Sequence, residues 1–215
     1  MTSASQPAIA RSTYRHGDLR RALLEAGIEL ARSGGPDAVV LREATRRAGV
    51  APNAAYRHFA SRQALLQAVR AAALSAVAEA MEAELASLPP GLAPADFARA
   101  SVRAVGTGYL RFARAETGLF RTAFAASDVL LQATPELPTA GPGGLNPFEL
   151  LGAALDKLVA AGVLPPERRP GAEFLAWSAV HGLAMLVIDG PLGSVVGPQM
   201  QQVGQRLLDM VEKGL

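Results

Sequence analysis

The sequence predicts an all-α protein of about nine helices, in which a small N-terminal three-helix module precedes a larger helical part. Apolar residues recur at three- and four-residue spacing along most of the chain, and no segment alternates apolar and polar residues as a strand would. Half of the 215 residues are hydrophobic and 19% are charged, a composition that fills a core and argues against wholesale disorder.

The first predicted helix spans Asp18 to Ser33. Its apolar face is formed by Leu19, Leu23, Ala26 and Leu30. Asp18 is expected to be the N-cap, and Gly34, Gly35 and Pro36 supply the signals that end the helix.

Two short helices follow, and the corner between them is the first feature with a functional meaning. Leu41 to Ala48 predicts one helix, ended by Gly49, and Pro52 begins a second that runs to about Phe59. The three-residue corner has the geometry of a helix-turn-helix, whose second helix can enter a DNA major groove. Side chains that bind phosphates surround it: Arg42, Arg46, Arg47, Tyr56, Arg57, His58 and Arg62.

The rest of the chain continues the helical pattern. Ser61 is expected to cap a long Ala-rich helix that reaches about Leu88. Five further helices are predicted at Ala95–Ala115, Gly118–Ala126, Phe148–Ala161, Gly171–Asp189 and Pro198–Lys213, with one long loop at Pro135–Pro147.

Charge is distributed unevenly along the chain. Residues 1–70 contain eleven Arg, no Lys and five acidic residues, which gives a net charge of +6, whereas residues 71–215 carry −4. A cationic N-terminal third favours a polyanionic partner met by one end of the molecule. On charge alone, a solvated basic face is an equally good interpretation.

Composition also excludes several classes of protein. The chain has no cysteine, so disulfide scaffolds, thiolate metal sites and Cys nucleophiles are ruled out and a cytoplasmic location is favoured. The longest apolar stretch, Phe174–Ile188, is 15 residues long, shorter than a span of about 20, so no membrane partner is expected. Residues 1–15 are expected to be a disordered tail because the first ten lack the features of a secretion signal.

The corner and its surroundings resemble the DNA-binding domain of TetR-type transcriptional regulators. The resemblance lies in the run LREATRRAGVAPNAAYRHFASRQALL, preceded by YRHGDLRRALLEAGIELARSGG, with A-G-V at the turn and Y-R-H-F closing the second helix. Trp177, His181 and Gly182 are similar to the Trp-His-Gly (WHG) signature of one subgroup of that family.

This resemblance implies a helix-turn-helix DNA-binding domain over residues 16–76, with the motif itself at about 40–59. Asn53 and Ala54 are expected to face base edges, where Asn bonds adenine and Ala meets a thymine methyl group. Tyr56 and His58 are expected to form hydrogen bonds with phosphates of the DNA backbone. The full set of predicted DNA-binding residues is Arg42, Thr45, Ala51, Pro52, Asn53, Ala54, Tyr56, Arg57, His58 and Arg62.

Two residues depart from the family pattern. Val40 and Ala51 stand where the family usually has Ser or Thr to cap the two helices of the motif. Each missing hydroxyl removes a cap worth about 1 kcal/mol. We therefore expect weaker DNA affinity here, not the loss of binding.

Residues 77–215 are expected to form a ligand-binding and dimerisation domain. The resemblance implies a pocket among the middle helices; the side chains large or polar enough to shape it are Phe97, Tyr109, Phe112, Phe120, Phe124, Trp177, His181 and Met185. Aromatic residues at helical spacing also suit an ordinary core. A homodimer interface is predicted on the last helix at Met200, Val203, Leu207 and Met210, although a core stripe has the same spacing.

The functional prediction is a bacterial, cytoplasmic repressor, associated with the nucleoid when bound to DNA. It binds a palindromic operator as a homodimer and is released by a small, largely apolar effector. No cofactor or metal is expected. A non-specific architectural DNA-binding protein is the main alternative. An enzyme is disfavoured because His16, His58 and His181 are scattered and no catalytic motif is present.

Overall fold

The helices begin and end close to the predicted residues. The computed structural model describes residues 16–125 and 138–215, which contain ten α-helices and no strand. The all-α prediction is confirmed. The helices are α1 (His16–Gly34), α2 (Leu41–Arg47), α3 (Pro52–Ala55), α4 (Arg62–Ala86), α5 (Pro94–Ala115), α6 (Thr117–Ala123), α7 (Pro147–Ala160), α8 (Ala172–Ile188), α9 (Gly193–Val196) and α10 (Met200–Gly214).

The observed helix ends can be compared with the caps and breaks that the sequence predicted. Ser61 caps α4 as predicted, because its hydroxyl accepts a hydrogen bond from the Ala64 amide at 3.1 Å. The N-cap prediction for Asp18 is wrong, since α1 already runs from His16 and places Asp18 inside the helix. The one-turn α9 was not predicted because it lies in a stretch rich in Gly and Pro. The predicted tail (residues 1–15), Ala126 and the start of the predicted loop (residues 135–137) lie outside the described residues.

Helix α4 connects the two parts of the chain. At its N-terminal end it packs against α1, and further along it packs against α5, α6 and α7. Its 25 residues give a length of about 38 Å. Leu65, Val69, Val77 and Met81 are buried along it.

The same helix is long and apolar enough to span a membrane by length and composition alone. Half of its most apolar stretch is buried inside the protein, which is what the core helix of a helical domain also shows.

A glycine sets the distance between α4 and α5. A Cβ atom at Gly108 would lie 2.5 Å from the carbonyl oxygen of Ala80 and 2.6 Å from the Cα of Met81. Both are backbone atoms, so the two helices are in direct backbone contact at this point. This close approach fixes α5, which carries Tyr109, against the helix that leads to the N-terminal module.

Candidate nucleic-acid interface and ligand site

The corner between α2 and α3 is built as the helix-turn-helix prediction requires. Gly49 has a φ of 66°, which an L side chain adopts only with strain, and this turns the chain out of α2. The amide of Val50 then donates to the carbonyl oxygen of Thr45 at 3.1 Å. Ala55 of α3 is buried, as is Phe59 shortly after the helix, and the Arg20 guanidinium lies over the Phe59 ring. The core thus holds one face of α3 and leaves the other exposed.

Both helices of this motif lack a side-chain cap. Val40 is the N-cap residue of α2 and Ala51 that of α3, and both have the extended backbone that a capping residue needs. Neither side chain can accept a hydrogen bond from the amides of the first turn. The two departures from the family pattern therefore fall at the capping positions.

We expect Ala51→Ser to supply the missing cap. The substitution should stabilise the protein by about 1 kcal/mol, because the new hydroxyl accepts a bond from a first-turn amide of α3. Thermal unfolding measures this gain, and titration with an operator duplex should show affinity at least equal to that of the unsubstituted protein. Ala83→Ser, at an exposed interior position of α4, is the control and should be neutral or slightly destabilising. A clear loss of operator affinity in Ala51→Ser contradicts the capping argument.

Four polar side chains around α3 are exposed and available. In the part of the chain that the structure describes, no hydrogen bond or ion pair is made by the side chains of Arg42, Asn53, Tyr56 and Arg57. Tyr56 is 58% exposed, and the other three are also exposed. Ala51 is exposed beside them, Ala54 and His58 are half-buried, and Pro52 is the first residue of α3. The exposed side chains on and around α3 thus include two guanidinium groups, an amide and a phenol.

Three other arginines near the corner have protein partners. Arg46 donates two hydrogen bonds to the Glu43 carboxylate, at 2.8 and 2.7 Å, and Arg47 donates one at 3.2 Å. The bonds from Arg46, and then from Arg47, lower the pKa of Glu43 to about 2. Arg62 donates to the carbonyl oxygens of Val39 and Pro36, both at 2.8 Å. Arg62 therefore holds the start of α4 to the backbone that precedes α2.

Thr45 is the predicted DNA contact that the structure does not bring to the surface. It is 3% exposed, and its hydroxyl donates to the carbonyl oxygen of Arg42 at 2.6 Å. This hydrogen bond to a carbonyl oxygen of its own helix satisfies the Thr45 hydroxyl inside the protein. We therefore leave Thr45 out of the candidate DNA surface.

The structure brings five of the predicted pocket residues into one aromatic cluster. Tyr109 of α5 lies edge-on to Phe120 of α6, with ring centroids 5.2 Å apart, and Phe124 lies 4.9 Å from Phe120. Two residues of α8 complete it: Trp177 lies 5.6 Å from the ring of His181, which lies 5.1 Å from Phe124. We call these five residues the aromatic cluster.

Hydrogen bonds run through the centre of this cluster. The Trp177 indole N–H donates to the Tyr109 hydroxyl oxygen at 3.1 Å, and that oxygen lies 2.7 Å from His181 Nδ1. Burial raises the pKa of the Tyr109 phenol and lowers the pKa of the His181 imidazole. Both shifts favour the neutral form of each group.

The other predicted pocket residues lie elsewhere or beside the cluster. Phe97 is 40% exposed at the start of α5, where Lys157 lies over its ring, so the structure does not bring it to the cluster. Phe112 is buried, and Met185 packs half-buried against the core. Sequence reasoning missed Phe148, whose ring is 6.2 Å from Trp177 and 5.6 Å from Phe174. The three-residue spacing of Phe174 and Trp177 on α8 was the signal available for this extension.

The predicted dimer residues of α10 are divided between core and surface. Met200 is buried, Val203 and Leu207 are half-buried, and Met210 is exposed.

Sequence analysis missed a stripe of residues on one face of α8. They are spaced at three and four residues: Leu175, Ser178, Gly182 and Leu186. Leu175 is 67% exposed, and a Cβ at Gly182 would meet no atom within 4 Å. We call these four residues the α8 stripe.

Two family models match the chain, one in its N-terminal part and one in its C-terminal part. Residues 23–69 match the model described as "Bacterial regulatory proteins, tetR family". Residues 102–211, half of the chain, match "Tetracyclin repressor-like, C-terminal domain". The chain belongs to the TetR family. It is accordingly a DNA-binding transcriptional regulator, and the resemblance to the Trp-His-Gly subgroup is not confirmed.

Solved structures share the same fold. A protein of unknown function from Rhodococcus sp. RHA1 is 26% identical, with a TM-score of 0.73 over 95% of this chain and 99% of that one. The TetR family transcriptional regulator PfmR from Thermus thermophilus is 21% identical, with a TM-score of 0.55 over 90% and 98% of the two chains. A search of curated proteins finds no match.

Proposed function

We propose that this TetR-family regulator is a repressor that binds a palindromic operator as a homodimer and is released by a small, largely apolar ligand. Residues 16–76 form the DNA-binding domain and residues 77–215 the ligand-binding and dimerisation domain. The protein works in the cytoplasm, at the nucleoid when bound to DNA. The observation that carries the proposal is the exposed surface around α3, whose two arginines, amide and phenol have no protein partner in the described residues.

Each residue of that surface has a role suited to its chemistry. Asn53 and Ala54, at the start of α3, face the base edges of the major groove. Tyr56 and His58 bond phosphates, and Arg42 stands beside them. Arg57 contacts either a guanine or a phosphate. The caps that Ser or Thr would supply are absent, so the two arginines provide most of the attraction to DNA.

The α8 stripe is the proposed contact with a second copy, together with exposed Met210 of α10. Exposed leucines at both ends of the stripe are costly on a lone protomer, and small residues between them allow another helix to approach closely. A two-fold dimer brings the same stripe of each protomer together. It also sets two α3 helices at the separation of about 34–36 Å that successive major grooves require.

Gly182→Leu tests this interface. A Cβ atom at this position meets no atom of the protomer within 4 Å, so the fold should be retained, whereas a leucine here prevents close approach of a second α8 helix. We expect the variant to be largely monomeric in sedimentation-velocity runs at micromolar concentration. Ala83→Leu, exposed on α4, adds the same kind of bulk elsewhere and should leave the dimer intact. A fully dimeric Gly182→Leu protein would place the interface on another surface.

Selection of bound sequences from a random duplex library tests the proposed function as a whole. A palindrome with half-sites about one helical turn apart is the expected result. Weak, strongly salt-dependent binding without an enriched sequence would favour the architectural alternative. Repression is then measured with the selected operator placed over a promoter in a reporter strain, where deletion of the regulator should raise expression.

A further inference from the structure

Helix α2 carries three arginines, and two of them lie on the face that borders the proposed DNA surface. Arg42 and Arg46 are four residues apart, so they lie on the same face of the helix. Both line a shallow surface groove together with Val50 of the corner. The spacing places Arg46 about 6 Å further along the helix than Arg42. Each DNA strand presents a phosphate about every 3.4 Å of duplex axis, so a free Arg46 can reach a phosphate close to the one that Arg42 contacts.

The Glu43 carboxylate holds the two other arginines of α2. Arg46 donates to both of its oxygens, at 2.8 and 2.7 Å, and Arg47 donates to one of them at 3.2 Å. The paired bonds from Arg46 fix the direction of its guanidinium, although its side chain is 73% exposed. One carboxylate thus orients and neutralises two cations next to the proposed DNA contact.

DNA can recruit these two arginines only by breaking their bonds to Glu43. A phosphate that takes Arg46 also comes close to the carboxylate, which lines the same groove, and two anions in that position repel each other. The affinity of a protein for DNA of any sequence grows with the number of phosphates that its cations reach. The bonds to Glu43 therefore lower the sequence-independent part of DNA binding.

We propose that Glu43 is a positioning residue that raises the sequence specificity of this regulator by restraining Arg46 and Arg47. In the operator complex, base contacts of α3 fix the register of α2, so the two arginines meet only the phosphates of that register. On other DNA no register is fixed, and freed arginines bind whichever phosphates are nearest. The restraint weakens non-specific binding more than operator binding. This inference rests on the proposed DNA surface around α3.

Glu43→Gln removes the charge and keeps the size of the side chain. The full-length protein is titrated over a salt series with two duplexes of equal length, the selected operator and a scrambled sequence. For the scrambled duplex we expect affinity to rise at least about 5-fold, as for one added phosphate contact. The slope of log affinity against log salt should steepen by about one for each freed arginine that reaches a phosphate. The operator should gain less, so the ratio of the two affinities falls.

Glu29→Gln is the matched control for charge. Glu29 lies on α1 of the same module and also pairs with an arginine one turn away, Arg32. Arg32 keeps a second carboxylate, that of Glu116, at 2.8 Å. This substitution therefore changes the net charge by the same amount and frees no guanidinium, so the salt slope for the scrambled duplex should not change.

A second control removes the two cations from the variant. Arg46→Ala and Arg47→Ala, added to Glu43→Gln, should cancel the gain in affinity for the scrambled duplex. A gain that survives their loss, or one that Glu29→Gln reproduces, overturns the inference because overall charge then explains it. An equal gain for operator and scrambled duplex overturns it as well, since specificity is then unchanged. Thermal unfolding checks that each variant is folded.

The two duplexes keep this inference apart from the proposed function. If selection yields no operator, the proposed palindromic operator fails, and the scrambled duplex still shows whether Glu43 restrains the two arginines. If the operator is bound and Glu43→Gln behaves as the unsubstituted protein does, the proposed function stands and the role of Glu43 is contradicted.

Discussion

Gly108→Ala is expected to destabilise the protein by about 3 kcal/mol or more. The new methyl carbon would lie 2.5 Å from the Ala80 carbonyl oxygen and 2.6 Å from the Met81 Cα. These atoms belong to the backbone of α4, which cannot rotate away as a side chain can. The two helices must separate, and Tyr109 moves with α5. Calorimetric unfolding should show a melting temperature lower by roughly 6–12 °C for a chain of this size.

Gly152→Ala is the matched control. Gly152 lies inside α7, and a Cβ there would meet Arg169 Nη2 at 3.6 Å, an ordinary contact. Alanine favours a helix over glycine by about 1 kcal/mol, so this variant should be as stable as the unsubstituted protein or more stable. If both variants unfold at the same temperature, α4 and α5 are not in the backbone contact described above.

Loss of Arg42 and Arg57 together should reduce operator affinity by at least about 30-fold, because each contact is worth roughly 1–3 kcal/mol. Both guanidinium groups lie exposed beside α3. If both bind phosphates, the slope of log affinity against log salt becomes shallower by about two. If Arg57 reads a guanine instead, the slope changes by about one and discrimination at that base pair is relaxed.

The measurement is a salt series of operator titrations on Arg42→Ala/Arg57→Ala and on each single variant. Arg114→Ala removes an exposed charge from the end of α5, far along the chain from the motif, and should leave the affinity nearly unchanged. Equal effects of Arg114→Ala and Arg57→Ala would show that only overall charge matters. The surface around α3 would then not be the DNA contact.

The helices and the motif were predictable because their signals are local. Apolar spacing located the helices to within a few residues, Ser61 marked the start of α4, and Gly49 marked the corner. The aromatic cluster could be proposed only as a set of large residues. Its hydrogen bonds join Tyr109 to residues about 70 positions away, a pairing that depends on how α5 and α8 pack.

Long-range partners also explain what the sequence could not indicate for charged and polar residues. Arg62 appeared equivalent to Arg42 in the sequence, but its donors are directed to carbonyl oxygens 23 and 26 residues upstream. Thr45 lies at the buried side of α2, which depends on how that helix packs against α1 and α3. For the same reason, spacing alone could not show that Met200 is buried and Met210 is exposed.

The bonds of Arg62 have a mechanical consequence for the recognition helix. They attach the backbone before α2 to the first residue of α4, so the motif follows the end of that long helix as one body. A helix of about 38 Å that pivots at its far end by about 5° carries its near end through roughly 3 Å. Hydrogen bonds to base edges tolerate only a few tenths of an ångström. A small rotation of α4 beside the aromatic cluster thus displaces the motif far enough to break its contacts with DNA.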